Sequence, residues 1–94
     1  MTTESAYIAR CGWCGQGLVR LYRCNECAAV SAICDECERI WRDPSTVHAD
    51  PHAKSNGAHP NCPHCPNGDV TWTRLSDAEV RQQGLDDLVI GHSR

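Results

Sequence analysis

Residues 11–37 read CGWCGQGLVRLYRCNECAAVSAICDEC, and they hold three C-x-x-C pairs: Cys11/Cys14, Cys24/Cys27 and Cys34/Cys37. A fourth pair, Cys62/Cys65, follows after a long gap, and the chain's 8 cysteines are then all used. A C-x-x-C pair on a tight turn brings two thiolates to one point, and two such pairs build the tetrahedral sulfur cage that zinc prefers. Four pairs therefore predict two zinc sites, with two Zn(II) as cofactors and Cys11, Cys14, Cys24, Cys27, Cys34, Cys37, Cys62 and Cys65 as the ligands. Four thiolates also suit iron, so the spacing alone leaves the metal open.

The segments between the pairs read as a hairpin. Gly12, Gly15 and Gly17 surround the first pair and allow the positive φ angles that a metal knuckle needs. Leu18–Arg23 is β-prone, with Arg20 and Arg23 marking it as half-buried. Cys24-Asn25-Glu26-Cys27 sits where the hairpin should turn, and Ala28–Ile33 reads as the return strand, running into the third pair.

Four pairs join into two sites in three ways. Sequential joining leaves 9 residues inside site one and 24 inside site two. Cross-braced joining, first pair with third and second with fourth, leaves 19 and 34. A nested arrangement squeezes pairs two and three around only 6 residues, which is cramped. The 19-residue interval matches ribbon spacing of about 15–20 residues and places the whole hairpin between the halves of site one. The second pair then lies at the far tip, and only the fourth pair is free to join it. The cross-brace is the preferred arrangement and the sequential one its alternative.

Outside this region the signals thin out. Residues 1–9 read as a polar tail, ordered only from Tyr7 and Ile8, with residues 10–94 as a single two-zinc domain. Glu38–Trp41 suggests a short helical turn laying Trp41 over a knuckle, stopped by Asp43-Pro44. Residues 43–61 hold three prolines, His48, His52 and His59, and almost no large apolar residue, so they read as a long loop. Asp69–Arg74 alternates polar and apolar residues and predicts a short third strand. Ser76-Asp77-Ala78-Glu79 is a capping box, with Leu75 and Val80 as its hydrophobic staple and Gly84 in the left-handed stop position, so a helix is expected over 77–83. Leu85–Ile90 suits a second short helix packing Leu85, Leu88 and Val89 inward, and residues 91–94 should fray. The expected fold is a small metal-stabilised α+β domain: a zinc-ribbon β-hairpin with two four-cysteine sites, a short third strand and a C-terminal helix.

Bulk composition agrees with a stapled small domain. The 94 residues include no Phe and only 1 Met, too little large apolar material for a generous core. A structural zinc supplies on the order of 10–16 kcal/mol in small zinc peptides, comparable to a whole domain's net stability. Disulfides are the competing use of eight cysteines. However, the opening MTTESAYIAR has no apolar leader core, and no stretch has the length of a membrane span. A reducing, cytoplasmic compartment is expected, where paired cysteines more often hold metal. The formal net charge is −3. Two four-thiolate zinc sites add −2 each, taking the folded chain to about −7, which argues against a broad nucleic-acid footprint.

The order of gaps between the four pairs resembles the cross-braced treble-clef fingers of the RING, FYVE and PHD types over residues 11–65. The chain departs from them in carrying cysteine at all eight positions. It also lacks the basic lipid-pocket motif of FYVE fingers, and His59-Pro60-Asn61 stands where PHD fingers place a tryptophan. Separately, Cys11-Gly12-Trp13-Cys14-Gly15-Gln16-Gly17 with Cys34-Asp35-Glu36-Cys37 and Trp41 is similar to small bacterial zinc-ribbon proteins. That resemblance implies a ribbon whose first site joins pairs one and three, and it implies no activity.

Function follows from site closure. A catalytic zinc keeps one position open, and eight paired cysteines close both sites, so an enzyme is not expected. A thiol–disulfide catalyst needs a C-x-x-C that follows a strand and opens a helix, and all four pairs lie among turn residues. His48 and His52 straddle Pro51 and cannot share a helix face. His64 is able to replace a cysteine ligand but is expected to point outward, because Cys62 and Cys65 already complete the pair; His59 is a lesser candidate for site two, and His92 has no evident partner. The expected function is a protein–protein interaction adaptor or regulator, with Trp13 as an exposed anchor and Trp41 and Trp72 covering the two sites. A monomer is favoured and no membrane role is expected. The alternative is a nucleic-acid-binding zinc ribbon using Arg20, Arg23, Arg39 and Arg42, and a ubiquitin-ligase-type finger is a third reading.

Overall fold

The computed structural model describes residues 5–12, 15–37, 39–47, 62, 64 and 70–93. Its strands are β1 (Ser5–Tyr7), β2 (Ala9–Arg10), β3 (Leu18–Cys24), β4 (Val30–Cys34), β5 (Ile40–Trp41), β6 (Trp72–Arg74) and β7 (Gly91–Ser93), and its α-helix is α1 (Asp77–Gln82). The result is a small α+β fold, mostly strand, with the hairpin of β3 and β4 at its centre.

β3 organises the sheet because both its edges are used. β4 runs antiparallel along one edge, from Val19 opposite Cys34 to Arg23 opposite Val30. The other edge is shared: β2 pairs with its first residues and β6 with its last, Cys24 lying opposite Trp72. β5 extends the sheet beyond β4, with Ile33 opposite Ile40. Paired on both edges and covered on both faces, β3 buries Val19, Arg20, Leu21 and Cys24. Val19 and Leu21 alternate onto the main core with Ile8, Ala32, Trp41, Leu75 and Val80, as the two-residue period of a strand requires.

The capping box forms as the sequence predicts. Ser76 Oγ accepts from the Glu79 amide at 3.2 Å, and Glu79 Oε1 accepts from the Ser76 amide at 3.3 Å. Gly84 takes φ +71° just past the helix, where a left-handed residue costs least when it has no Cβ. The Leu85 amide donates to the Val80 carbonyl, and a 3-10 turn over Asp86–Leu88 carries Leu85, Leu88 and Val89 against the core. An ion pair between Arg23 and Glu79 ties α1 to the hairpin.

Three expectations are corrected. Order begins earlier than Tyr7 and Ile8: β1 starts at Ser5 and pairs with β7, so Gly91–Ser93, expected to fray, are also ordered as strand. Ile40–Trp41 is a strand rather than a helical turn, because pairing with β4 places both side chains in the interior. The segment from Asp43 begins as a 3-10 turn over Pro44–Thr46, capped by the Asp43 carboxylate accepting from the Ser45 amide. The short strand expected near residue 72 does form, as β6, and pairs with β3 of the hairpin; among the described residues the sheet it joins has five strands rather than three. Residues 48–61, with His48, His52 and His59, lie outside the described residues.

Candidate metal centres

Each end of the central hairpin carries a knuckle. At the first, the chain turns over after Cys11: the Gly15 amide donates to the Cys11 carbonyl at 3.1 Å, and Gly15 has φ +71°. The second knuckle repeats the geometry after Cys24. There the Ala28 amide donates to the Cys24 carbonyl at 2.8 Å, and Ala28 has φ +64°. Both left-handed residues directly follow the second cysteine of their pair. The residue type at 28 conceals the signal, since only glycine adopts that region without cost.

The topology gathers the sulfurs into two groups. Cys11, Cys34 and Cys37 form one and Cys24, Cys27 and Cys62 the other, with the ligand atoms of each group within 4.8 Å of one another. First pair thus meets third and second meets fourth, the cross-braced grouping, because β3 and β4 carry Cys24 to one end of the sheet and Cys34 to the other. Cys14 and Cys65, the remaining cysteines of these pairs, lie outside the described residues.

The separations fit a metal cage. Cys11 Sγ lies 3.7 Å from Cys37 Sγ, and Cys27 Sγ lies 3.6 Å from Cys62 Sγ. A tetrahedron with zinc–sulfur bonds of about 2.3 Å has edges of about 3.8 Å. All six described cysteines are free thiols rather than disulfides. Backbone amides point at the sulfurs as well: Glu36 and Cys37 each donate to Cys34 Sγ at 3.5 Å, and His64 donates its amide to Cys62 Sγ at 3.3 Å. Such amides favour the thiolate.

The two groups differ electrostatically. Burial pushes the Cys34 thiol up to about 12, against the pull of the Cys37 and Glu36 amides. Burial likewise raises Cys37. Burial also acts upward on Cys24, but the amides of Cys27 and Glu26, with the neighbouring thiols, outweigh it and leave Cys24 below its ordinary value. A divalent cation reverses the burial penalty, since it deprotonates a coordinating thiol outright.

The other candidates separate clearly. Trp41 is buried in the cluster that contains Cys11 and Cys34, and Trp72 packs on Cys24 and Cys62, so each covers one sulfur group as expected. Trp13 lies outside the described residues. His64 is exposed, and its Nε2 lies 2.8 Å from the Arg42 carbonyl oxygen, away from the sulfur group. His92 lies beside Asp77, Nε2 to Oδ1 at 3.1 Å. Arg20, expected on a half-exposed strand face, is fully buried. It cannot reach phosphate from there, and Arg23 is already held by Glu79.

Asp35 had no assigned role from sequence. Its Oδ1 accepts from the Leu18 amide at 2.8 Å and its Oδ2 from Arg20 Nε at 3.1 Å. It therefore braces the third knuckle against β3. A carboxylate between two knuckle cysteines is ordinarily a solvated side chain, and nothing in the local sequence marks this one as different.

Comparison with protein-family models, with curated proteins and with solved structures returns no match for this chain. The likeness to cross-braced fingers accordingly remains one of cysteine spacing and grouping. No helix among the described residues is long and apolar enough to cross a membrane.

Proposed function

We propose that the chain is a non-catalytic module that binds two zinc ions, each held by four cysteines, and that it serves as a protein-interaction adaptor or regulator in a reducing compartment. The observation that carries the metal reading is the pair of thiol triads with sulfur separations of 3.7 and 3.6 Å at opposite ends of one hairpin. Cys14 completes the first set and Cys65 the second, because each belongs to the same C-x-x-C pair as a cysteine already in place. Sites closed by four thiolates have no position for substrate or water, and this supports a structural rather than catalytic metal. Zinc is preferred to iron for its tetrahedral, redox-inert fit.

The adaptor role rests on the sequence position of Trp13 inside the first knuckle and on the excess of negative charge, which disfavours nucleic acid. The arginines proposed for the competing reading are reduced in number, since Arg20 is buried and Arg23 is paired.

Native mass spectrometry of the intact protein tests the metal reading. Two zinc ions per chain are expected, falling to one in Cys34→Ser and to one in Cys62→Ser. The adaptor role is tested against the nucleic-acid alternative by titrating a labelled oligonucleotide at increasing salt. The expected result is weak binding without the steep salt slope of phosphate contacts.

A further inference from the structure

The two sulfur groups are unequal. In the first, Cys11 and Cys34 are 2% and 0% exposed and belong to the main core with Ile8, Val19, Leu21 and Trp41, while Cys37 is half-buried. In the second, Cys24 and Cys62 are buried but Cys27 is exposed, the only such cysteine among the described residues. Among the described residues, the second group also has little packing of its own. Its cluster comprises Cys24, Cys62 and Val70, with Trp72 alongside.

Accessibility governs which coordinated thiolate an oxidant reaches. From these observations we propose that Cys27 is an oxidation site, attacked by peroxide, through which the second centre releases its zinc while the first stays loaded. This rests on the two-zinc reading above. The chemistry closes without any further reagent. The Cys27 thiolate attacks one peroxide oxygen; the sulfur–oxygen bond forms, the oxygen–oxygen bond breaks, and hydroxide leaves. The sulfur has given up two electrons and stands as a sulfenic acid. The Cys62 thiolate, whose sulfur lies 3.6 Å away, then attacks it. A sulfur–sulfur bond forms, and the sulfenic oxygen departs as water after taking up a proton. Two thiolates and one peroxide have become one disulfide, the peroxide has been reduced to water and hydroxide, and a cage stripped of two ligands lets its zinc go.

The inequality in packing sets the consequence. Loss of the second ion loosens the small cluster under Trp72, whereas the hydrophobic core around the first group is untouched. The product is a one-zinc form with an altered tip at the Cys24–Cys27 end of the hairpin. The device is reversible, because a thiol reductant and free zinc restore the starting state.

The test uses the intact protein, its zinc first counted by native mass spectrometry, treated with less than one equivalent of hydrogen peroxide. Released zinc is followed with a chromophoric chelator, and oxidised cysteines are located by differential alkylation and peptide mapping. One zinc should leave per peroxide consumed, with the disulfide mapped to Cys27 and Cys62, and with Cys11, Cys34 and Cys37 still protected. Far-ultraviolet circular dichroism should be retained. A protein that starts with two ions but loses both together, or is first oxidised at Cys11, Cys34 or Cys37, overturns this inference alone. A protein that never carries two ions overturns the metal reading beneath it as well.

Discussion

Arg20 Nε donates to Asp35 Oδ2 at 3.1 Å, and through this pair the third knuckle is joined to both ends of the chain. The same guanidinium donates from Nη1 to the Ser5 carbonyl at 2.8 Å and to the Ser93 carbonyl at 3.1 Å. One buried fork thus holds β1, β7 and the Cys34–Cys37 turn together. Arginine suits this place because its planar donors stay charged and fixed in direction. The charge is tolerated in the interior because the carboxylate and two carbonyls face it.

That arrangement makes Asp35 more important than its surface position suggests. Asp35→Ala removes the counter-charge from a fully buried guanidinium, and breaking a buried pair from one side costs roughly 3–5 kcal/mol. The side chain of Asp35 is 24% exposed, so the lower end of that range is expected. Urea denaturation of the metal-loaded protein measures it. Combining Asp35→Ala with Arg20→Met should recover part of the loss, because no uncompensated charge then remains. A single-variant cost below about 1 kcal/mol would show instead that the pair behaves as an ordinary exposed salt bridge.

The same pair shows where sequence reading stops. The hairpin, the grouping of first pair with third, and the Ser76–Glu79 helix cap were all legible, because each depends on residues close in sequence or on spacing that fixes reach. β1 and β7 were not. They are the three-residue segments Ser5–Tyr7 and Gly91–Ser93, too short and too polar to announce a strand. They exist because distant residues meet over Arg20. An arginine in a β-prone segment looks like a solvent-facing residue until the strands that cover it are known. Trp41 misled for a similar reason: an isolated apolar pair has no period, so only pairing with β4 distinguishes strand from helical turn.

Gly17 should tolerate no side chain. A Cβ built there falls on Cys34 Sγ and within 3.0 Å of Glu36 Cβ. Gly17→Ala must push the Cys34 sulfur out of its group or shift the turn that precedes β3. The expected outcome is loss of the first zinc with the second retained, read as a drop from two ions to one by native mass spectrometry. Zinc content unchanged at two would mean that the turn moves aside without disturbing the sulfur.

The left-handed residues after the first and second knuckles should respond in opposite directions. Ala28 holds φ +64° despite its Cβ, at a cost of roughly 1–2 kcal/mol relative to the right-handed region. Ala28→Gly removes that strain, offset by glycine's larger loss of backbone freedom of about 0.5–1 kcal/mol. A small net rise in melting temperature is expected. Gly15→Ala introduces the same strain at φ +71° and should lower the melting temperature. Thermal unfolding of the two variants beside the parent protein decides it, and a fall in both would show that the backbone angle at Ala28 is not the limiting feature.

Removing one ligand from each centre should expose their different standing in the fold. Cys34 ends β4, lies opposite Val19, and is packed in the main core. Its loss as a ligand frees the first knuckle and with it the bracing of Arg20 by Asp35. Cys34→Ser is therefore expected to lose the first zinc and to lower stability far more than Cys62→Ser does, since a structural zinc contributes on the order of 10 kcal/mol, comparable with the whole stability of a domain this size. Cys62 belongs instead to the small cluster with Cys24 and Val70. Cys62→Ser should lose one zinc, yet keep the strand signature in circular dichroism and keep slow amide exchange at Val19, Leu21 and Ala32. Those amides belong to the sheet over the main core, so their protection reports the first centre directly. If both variants unfold to the same extent, the two centres form one cooperative unit and the hairpin depends equally on the metal at either end.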